Sequence, residues 1–392
     1  MKFSECITDI IDNRGRNPEY YVEKSNHPIL DNYLIKNNLH PDISNANRFL
    51  DDKLFNSFLR GYVKNGMVVM TLVGNGIGNV TTIDNENIAI IQNTIGFVTN
   101  PEIVTDRFLY YYFLQNQQTI KNFDRGSGQP SIKRTDLLNM DVEFPSLENQ
   151  KKIAEILSSL DDKIELNNKI NANLEQQAQA LFKSWFIDFE PFDGKMPAGW
   201  KEGKLSDISS YSSDKIEVTE LTLKTYYSTE NMLPNKKGIE DASSLPSIKQ
   251  TTRCYPGETI ISNIRPYFKK IYYCSEELAG CSTDVLCFKP RDPNYSEYLY
   301  QTLYSDDFFA YMVLGSKGTK MPRGDKQQIM NYAISIPDEQ YLLKYKTFAA
   351  PIFSQIDLNR RENKRLSAIR DTLLPKLMNG EIKTNSIIIG KE

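Results

Sequence analysis

The chain has 392 residues, of which 40% are hydrophobic and 25% charged, so it is long enough for two or three globular domains. Its formal net charge is −3, which excludes a uniformly basic surface and means that any nucleic-acid contact must be local. No apolar run approaches 18 residues and MKFSECITDI is not a signal peptide, so we expect a cytoplasmic protein that does not contact a membrane.

Residues 1–144 have the pattern of one α/β domain. Strand-like apolar runs at 67–73 and 88–91 lie on either side of a turn-rich segment, GNGIGN, at residues 74–79. An aromatic run at 107–114 predicts a helix, and residues 121–134 then form a loop-like segment with a net charge of +3. The first domain therefore ends in a locally basic loop.

A long helix is predicted over residues 145–190. After Pro145, about forty residues contain neither glycine nor proline, and apolar residues alternate spacings of three and four. This heptad seam has asparagine at two central positions, Asn167 and Asn171. Such a helix cannot bury its apolar stripe alone, so the pattern predicts a partner helix.

Residues 191–335 repeat the outline of the first domain, and residues 336–382 repeat the helix. A shift of 192 residues places Pro130 on Pro322 without a gap, and it aligns two asparagine pairs of the seam as well. The coincidence of prolines and asparagines indicates an internal duplication. The second domain also ends in a basic loop, at 315–326, with a net charge of +3, and residues 383–392 form a tail.

One feature of the second helix departs from the first. Pro351 falls where Ser159 stands in the first copy. Because proline removes a helical hydrogen bond, we expect the second helix to be broken or kinked there and to begin later.

Motifs for catalysis and metal binding are weak. The five cysteines contain no CxxC pair and the two histidines lie far from four of them, so reduced, buried thiols are favoured over a zinc site. The spacing of GNGIGN differs from G-x-G-x-x-G, which favours a hairpin or loop turn over a dinucleotide site. A degenerate nuclease pattern, formed by Asp42, Asp51 and Lys53, predicts Mg²⁺-dependent cleavage if it is real, but a solvated face is favoured.

The arrangement of module, helix, module and helix resembles the specificity subunits of type I restriction–modification systems. The family's helical signature is present as QKKIAEIL at residues 150–157, which is followed by DDKI at 161–164. Residues 174–192, LEQQAQALFKSWFIDFEPF, are similar to the end of the family's central conserved region. LLPKLMNGEI at 373–382 is similar to its C-terminal region. The resemblance covers essentially the whole chain.

This resemblance implies a fold, a function and partners. The expected fold is two α/β (α+β) target-recognition domains, related as pseudo-repeats by a pseudo-two-fold axis and separated by a pair of long antiparallel coiled-coil helices. Each domain is expected to recognise half of a bipartite double-stranded DNA site. The partners are two modification (methyltransferase) subunits, which bind S-adenosylmethionine, and restriction subunits, which use ATP and Mg²⁺. The chain itself is expected to be non-catalytic and to hold no cofactor.

Two sets of residues are candidates for this function. The expected DNA contacts are the polar and cationic residues of the two basic loops and of the strand region before the second loop: Arg125, Ser127, Gln129, Lys133, Arg134, Arg265, Lys269, Lys270, Lys317, Lys320 and Arg323. The expected interface of the helix pair consists of matching seam residues: Leu160, Ile164, Asn167, Asn171, Leu174, Leu181, Ile352, Ile356, Asn359, Asn363, Leu366 and Leu373.

A second function remains open from the sequence. The duplicated helices also fit an adaptor or scaffold protein whose modules bind other proteins, and the low net charge favours this alternative slightly. Salt-sensitive binding to duplex DNA separates the two hypotheses.

Overall fold

The computed structural model describes residues 1–15, 17–126 and 128–384. Two compact units are formed, and each long helix contributes to both. Unit 1 contains residues 1–166 and the chain from 362 onward, and unit 2 contains residues 167–361. Most of the predicted tail, from residue 385 onward, lies outside the described residues.

Unit 1 is built on a four-stranded antiparallel sheet with the strand order β1-β6-β4-β5. Its strands are β1 Ile7–Ile11, β2 His27–Pro28, β3 Phe49–Leu50, β4 Val68–Thr71, β5 Val80–Thr82 and β6 Thr94–Thr99. Its helices are α1 Asp52–Phe58, α2 Asp106–Gln115, α3 Gln117–Lys121, α4 Arg134–Leu138 and the first half of α5, Leu147–Phe186. Strands β4 and β5 form a hairpin around GNGIGN, which confirms the predicted turn.

The core of unit 1 lies between the sheet and α2. Phe3 packs edge to face on Phe97 and on Phe113, with ring centroids 5.3 Å apart in both pairs. Helix α2 is buried on nearly all sides, since Phe108, Leu109, Tyr110, Tyr111 and Phe113 are at most 1% exposed. A helix that is apolar all round belongs in an interior, as this one does.

Unit 2 has three sheets. Its strands are β7 Lys201–Lys204, β8 Ser209–Tyr211, β9 Lys215–Glu217, β10 Tyr226–Tyr227, β11 Gln250–Cys254, β12 Thr259–Ser262, β13 Ile271–Tyr273, β14 Ala279–Cys281, β15 Val285–Pro290 and β16 Ala333–Ile336. Its helices are α6 Leu205–Ile208, α7 Ser296–Tyr304, α8 Asp306–Leu314, α9 Lys326–Met330 and most of α10, Glu339–Met378, together with the second half of α5.

One sheet of unit 2 has the same topology as the sheet of unit 1. Its order is β8-β15-β12-β13, fully antiparallel, which matches β1-β6-β4-β5 strand for strand. The entry to each sheet also matches: Phe3 N donates to Met140 O and Leu205 N donates to Tyr332 O, both at 2.9 Å. Strands β9, β10, β11 and β14 form a further sheet in unit 2.

The two long helices each contain 40 residues. Helix α10 is continuous from Glu339 to Met378, so the prediction that Pro351 breaks it or delays its start is wrong. Pro351 and Thr347, whose carbonyl loses its helical partner, are both exposed to water. On the opposite side Tyr345, Ala349 and Phe353 are buried and hold the helix against the core.

Within each unit, the segments of α5 and α10 run antiparallel. In unit 2, Asn359 Nδ2 donates to Asn171 Oδ1 at 2.8 Å, while the Trp185 and Tyr345 rings meet with centroids 6.1 Å apart. In unit 1, Arg370 Nη1 donates to Asp161 Oδ1 at 2.7 Å, and Tyr111 Oη donates to the other carboxylate oxygen of Asp161 at 2.7 Å. Buried polar pairs of this kind fix the register of helices.

Over residues 1–15, 17–126 and 128–384, none of the helices combines the length and apolarity that crossing a bilayer requires.

Candidate nucleic-acid interface

In unit 1, the fold brings the GNGIGN turn against the basic loop. Gly74 N donates to Pro130 O at 2.8 Å, and Ile132 N donates to Leu72 O at 2.8 Å. We call residues 74–79 the glycine loop. These two segments lie about fifty residues apart in sequence, and backbone hydrogen bonds join them in the structure.

In unit 2, the segment after β12 is joined to the second basic loop in the same way. Arg265 N donates to Pro322 O at 2.7 Å, and Ile264 and Arg323 form an antiparallel bridge. We call residues 265–270 the aromatic loop, because Tyr267 and Phe268 lie at its tip. Both predicted cationic segments of unit 2 are therefore brought to one place.

The glycine loop and the aromatic loop have the same length and the same closing hydrogen bond. Thr71 N donates to Asn79 O at 2.9 Å, and Ser262 N donates to Lys270 O at 3.1 Å, so both loops span equal lengths. The glycine loop has three left-handed positions, with φ of +88° at Gly74, +84° at Gly76 and +77° at Gly78, and the aromatic loop shares the outer two, with φ of +51° at Arg265 and +50° at Lys269.

The aromatic loop is therefore strained where the glycine loop is not. The left-handed conformation costs an L-residue with a side chain about 1–2 kcal/mol, which glycine avoids. Strain that the surrounding structure maintains is typical of functional positions. Unit 1 has glycine at the two equivalent positions, whereas unit 2 has Arg265 and Lys269.

The candidate DNA-contacting residues of unit 1 differ in whether they are paired with other side chains of the chain. Arg125 is paired with Asp136, with Nε 2.8 Å from the carboxylate, and Arg134 lies 3.3 Å from Asp12. A hydrogen bond from Arg14, together with the weaker effect of the Arg134 charge, lowers the pKa of Asp12. Lys133 is exposed and has no partner within the described residues. Ser127 lies outside the described residues.

Two glycines of the unit 1 site lie where a side chain would clash with neighbouring atoms. A Cβ on Gly126 would lie 1.8 Å from the Gln129 carbonyl oxygen, so only glycine fits there. A Cβ on Gly74 would lie 2.9 Å from Asn32 Nδ2 and 3.3 Å from Gln129 Nε2. The bare backbone at Gly74 thus leaves room for the Gln129 side chain beside the loop.

The basic loop of unit 2 carries cations that are paired but exposed. Lys317 Nζ lies 2.5 Å from Asp325, and Arg323 Nη2 lies 2.9 Å from Asp284. The Lys317 side chain is 80% exposed, so its pair with Asp325 is weak and open to competition by phosphate. In the described part of the chain, Lys320 is exposed and has no partner.

The lysines of the aromatic loop have different surroundings. Lys269 shares the carboxylate of Asp306 with Lys236, at 2.9 and 2.7 Å. Hydrogen bonds from these two ammonium groups lower the pKa of Asp306 to about 2. Lys270 instead donates from Nζ to Thr229 O at 2.6 Å, and burial lowers its pKa. The structure thus places the ammonium of Lys270 on an internal carbonyl, whereas the Nε–H of Arg265 has no acceptor there.

Sequence reasoning missed several residues at this site. Tyr267 and Phe268 are 49% and 38% exposed, and the aromatic loop is braced by Asn235 N, which donates to Phe268 O at 2.7 Å. The available signal was the run RPYFKK at residues 265–270, where cations flank a pair of aromatic residues. Lys236, about thirty residues away in sequence, carried no signal at all.

All twelve predicted residues of the helix-pair interface are buried or half-buried. Asn167, Asn171, Ile356 and Asn359 are at most 7% exposed. Asn171 and Asn359 bond directly, and Asn171 Nδ2 also lies 3.4 Å from Ile356 O. Two of the predicted polar positions of the seam, Asn171 and Asn359, therefore satisfy each other in unit 2.

The residues of the nuclease pattern have structural roles. One oxygen of Asp51 caps α1 by accepting from Leu54 N at 2.8 Å, and the other accepts from Tyr20 Oη at 2.7 Å. These hydrogen bonds lower the pKa of Asp51. Asp42 accepts from Ser44 Oγ at 2.5 Å. Among the described residues, no group of three His, Cys, Asp or Glu side chains could hold a metal ion. All five cysteines are free and buried, which confirms the predicted thiols.

Comparisons with known proteins point to one family. Residues 23–176 match the model of the type I restriction modification DNA specificity domain. The type I restriction enzyme MjaVIII specificity subunit of Methanocaldococcus jannaschii is 30% identical over 324 residues, which cover 73% of this chain and 72% of that protein. The MjaIX specificity subunit of the same organism is 29% identical, covering 72% and 71%. The HindI specificity subunit of Haemophilus influenzae is 25% identical, covering 82% and 87%.

A solved structure agrees in fold. The S subunit of a type I restriction–modification system from M. genitalium superimposes with a TM-score of 0.55 at 16% identity, covering 96% of this chain and 95% of that one. The coverage of these matches and their sequence identity are sufficient to assign the chain to a family. The chain belongs to the family of type I restriction enzyme specificity subunits.

Proposed function

We propose that this chain is the DNA-recognition subunit of a type I restriction–modification complex. Its relatives are named as specificity subunits, and the matched model describes a DNA specificity domain. The observation that carries the proposal is local: each unit joins a strand-end loop to a basic loop and so concentrates cations at one place. A local basic site is what a chain of net charge −3 needs to bind DNA.

Each unit recognises one half of a bipartite site in this proposal. The matching strand order and the matching loop length support a duplicated scaffold. The loop side chains differ, with glycines at 74, 76 and 78 in unit 1 but arginine, tyrosine and lysine at 265, 267 and 269 in unit 2. Since base recognition depends on side chains and on groove approach, the two half-sites are expected to differ in sequence.

The long helices set the number of unrecognised base pairs between the half-sites. Each has 40 residues, or about 60 Å of α-helix at 1.5 Å per residue. B-DNA rises about 3.4 Å per base pair, so the length of a pseudo-two-fold, antiparallel coiled coil translates into base pairs of spacer. The Asn171–Asn359 pair supports a fixed register for the helices of unit 2.

The chemistry belongs to partner subunits. Two modification subunits supply S-adenosylmethionine and methylate adenine, and restriction subunits supply the ATP- and Mg²⁺-dependent steps, in the cytoplasm where the DNA lies. This chain binds DNA, directs those subunits to it and carries out no catalytic step. Family membership supports this division of labour.

The test is to express the chain with its modification subunit and to sequence the methylated adenines in the host DNA. A bipartite motif with two constant halves and a spacer of fixed length is the expected result. A mobility shift on duplex DNA at increasing salt accompanies it, because phosphate contacts weaken as salt rises. An adaptor protein would give neither the motif nor the salt-dependent shift.

A further inference from the structure

We propose that Tyr267 and Phe268 form the base-contacting group of unit 2, an aromatic pair that packs on the 5-methyl groups of thymines in its half-site. This inference rests on the proposed function and goes beyond it, because it assigns specificity to residues outside the cationic set. The pair is exposed, with ring centroids 4.7 Å apart and ring planes inclined at 57°, so the rings lie side by side rather than stacked.

The loop holds the two rings in a fixed position. They lie in the short turn Pro266–Phe268, where Phe268 N donates to Arg265 O and Lys269 N donates to Pro266 O, both at 2.9 Å. Pro266 is buried, and the turn is tied to the basic loop through Arg265 N. A rigid aromatic group loses little entropy on binding, which suits a contact that discriminates between bases.

The positive charges around the aromatic pair favour a negatively charged ligand. Arg265 and Lys269 lie on either side of the turn, and the basic loop that pairs with it carries Lys317, Lys320 and Arg323. Exposed aromatic rings surrounded by cationic side chains suit a ligand that has negative charges on its surface and apolar groups between them. Duplex DNA has phosphates at its surface and thymine methyl groups in its major groove, which apolar side chains contact.

The equivalent loop of unit 1 is built without such a pair. Gly76 occupies the position of Tyr267, and Ile77, at the position of Phe268, is only 9% exposed. A loop of the same length at the same place in the sheet thus presents bare peptide in unit 1 and aromatic rings in unit 2. A contact with thymine methyl groups through this loop is therefore expected for one half-site alone.

The backbone strain supports the same conclusion. Arg265 and Lys269 occupy left-handed positions at which unit 1 has glycine. A loop whose only task was to close the hairpin would need neither side chain. Arg265, whose Nε–H has no acceptor among the described residues, is placed to hold a phosphate beside the bases that the rings contact, whereas the charge of Lys269 is shared with Asp306.

The test exchanges thymine for deoxyuridine, one position at a time, in a duplex that carries the bipartite motif. The wild-type complex with its modification subunit should bind about fourfold more weakly when a contacted methyl group is removed, since one buried methyl is worth about that factor. The loss should occur in one half-site only. It should disappear in the Tyr267→Ala and Phe268→Ala variants, whose binding no longer distinguishes thymine from deoxyuridine.

Leu278→Ala is the matched control. Leu278 is 46% exposed in the same unit, but it lies beyond the opposite end of the β12–β13 hairpin, where Thr259 pairs with Tyr273. This variant should keep the full deoxyuridine effect. Thermal unfolding of each variant checks folding, and Tyr267→Ala is expected to fold because the Tyr267 hydroxyl has no hydrogen bond within the described residues.

Three results would overturn the inference while leaving the proposed function intact. The first is a bipartite motif whose binding is insensitive to every thymine exchange. The second is a thymine effect that persists in both aromatic variants. The third is an aromatic variant that loses the modification subunit rather than the base preference. Failure of the proposed function is a different outcome, since then the wild-type complex has no motif to measure.

Discussion

Asp306 limits the cationic charge of the aromatic loop, and replacing it with asparagine should strengthen non-specific DNA binding. Its carboxylate bonds to Lys236 at 2.7 Å and to Lys269 at 2.9 Å, and these bonds lower its pKa to about 2. The carboxylate is therefore charged throughout the physiological range. Asp306→Asn removes this charge and frees Lys269, whose side chain is 35% exposed, to contact phosphate, whereas Lys236 is 15% exposed and lies over the Tyr304 ring.

The magnitude follows from counterion release. Each phosphate contact contributes about 0.9 to the slope of log affinity against log salt, so one freed lysine should steepen the slope by about 1. Affinity for non-specific duplex should rise about two- to tenfold at physiological salt. Because a lysine that contacts phosphate does not recognise bases, affinity for all sequences should rise by the same factor, and the ratio of motif to non-motif affinity should stay unchanged.

Asp307→Asn is the control for this experiment. Asp306 and Asp307 both lie in the first turn of α8, so each substitution removes the same favourable interaction with the helix end, about 0.3–1 kcal/mol. Within the described residues Asp307 is exposed and makes no ion pair, so its removal frees no lysine.

Fluorescence anisotropy with a labelled random duplex, at a series of salt concentrations, measures both affinity and slope for the two variants. Equal slopes for Asp306→Asn and Asp307→Asn would refute the placement of DNA at the aromatic loop. A folding defect is not the expected cause of any change, because the Asp306 side chain is 70% exposed and its ion pairs contribute little to stability.

The other predictions concern the helices and the core. One heptad can be deleted from each of the two antiparallel helices, within residues 157–181 in α5. The spacer of the methylated motif should then be about three base pairs shorter, and both half-sites should stay unchanged. An unchanged spacer would contradict the role of the helices. Asp161→Asn should lower the free energy of unfolding by about 1–3 kcal/mol, because it removes the charged acceptor shared by Arg370 and Tyr111, although Arg370 keeps its ion pair with Asp371 at 2.8 Å. Chemical denaturation measures this, and Asp162→Asn, an exposed neighbour, should cost less than 1 kcal/mol. Glu258→Gln should raise the melting temperature relative to wild type, and the difference should grow as pH rises above 4.5. Burial raises the pKa of Glu258 in the folded state, so the protonated carboxyl stabilises the fold at low pH. That contribution is lost as pH rises through the folded-state pKa. Melting curves across pH that stay parallel for wild type and variant would show that Glu258 does not titrate in this way.

Periodic features were predictable from sequence. The alternation of three and four residues predicted two long helices, since a helical seam repeats with a fixed period whatever surrounds it. The asparagines of the seam were also predicted, and Asn171 bonds to Asn359 as such positions require. The GNGIGN turn was predicted as well, because glycine is favoured where the backbone must become left-handed.

The proline at 351 shows where a local rule fails. Proline removes one hydrogen bond, and the local rule predicted a break. The burial of Tyr345, Ala349 and Phe353 on the other face of the helix stabilises the continuous form more than that lost bond destabilises it. Tertiary packing therefore decided the outcome, and no local pattern carries that information.

The sequence by itself determined the duplication, the helices and the two clusters of basic residues, because each of these depends on spacing or composition within a short segment. Only the tertiary structure decided which cations remain available to a ligand. Lys269 is held by Asp306, and Lys270 by an internal carbonyl, through partners that are distant along the chain. Only the fold, too, brought Tyr267 beside the basic loop, since a backbone bond between Arg265 and Pro322 joins segments that lie more than fifty residues apart in sequence.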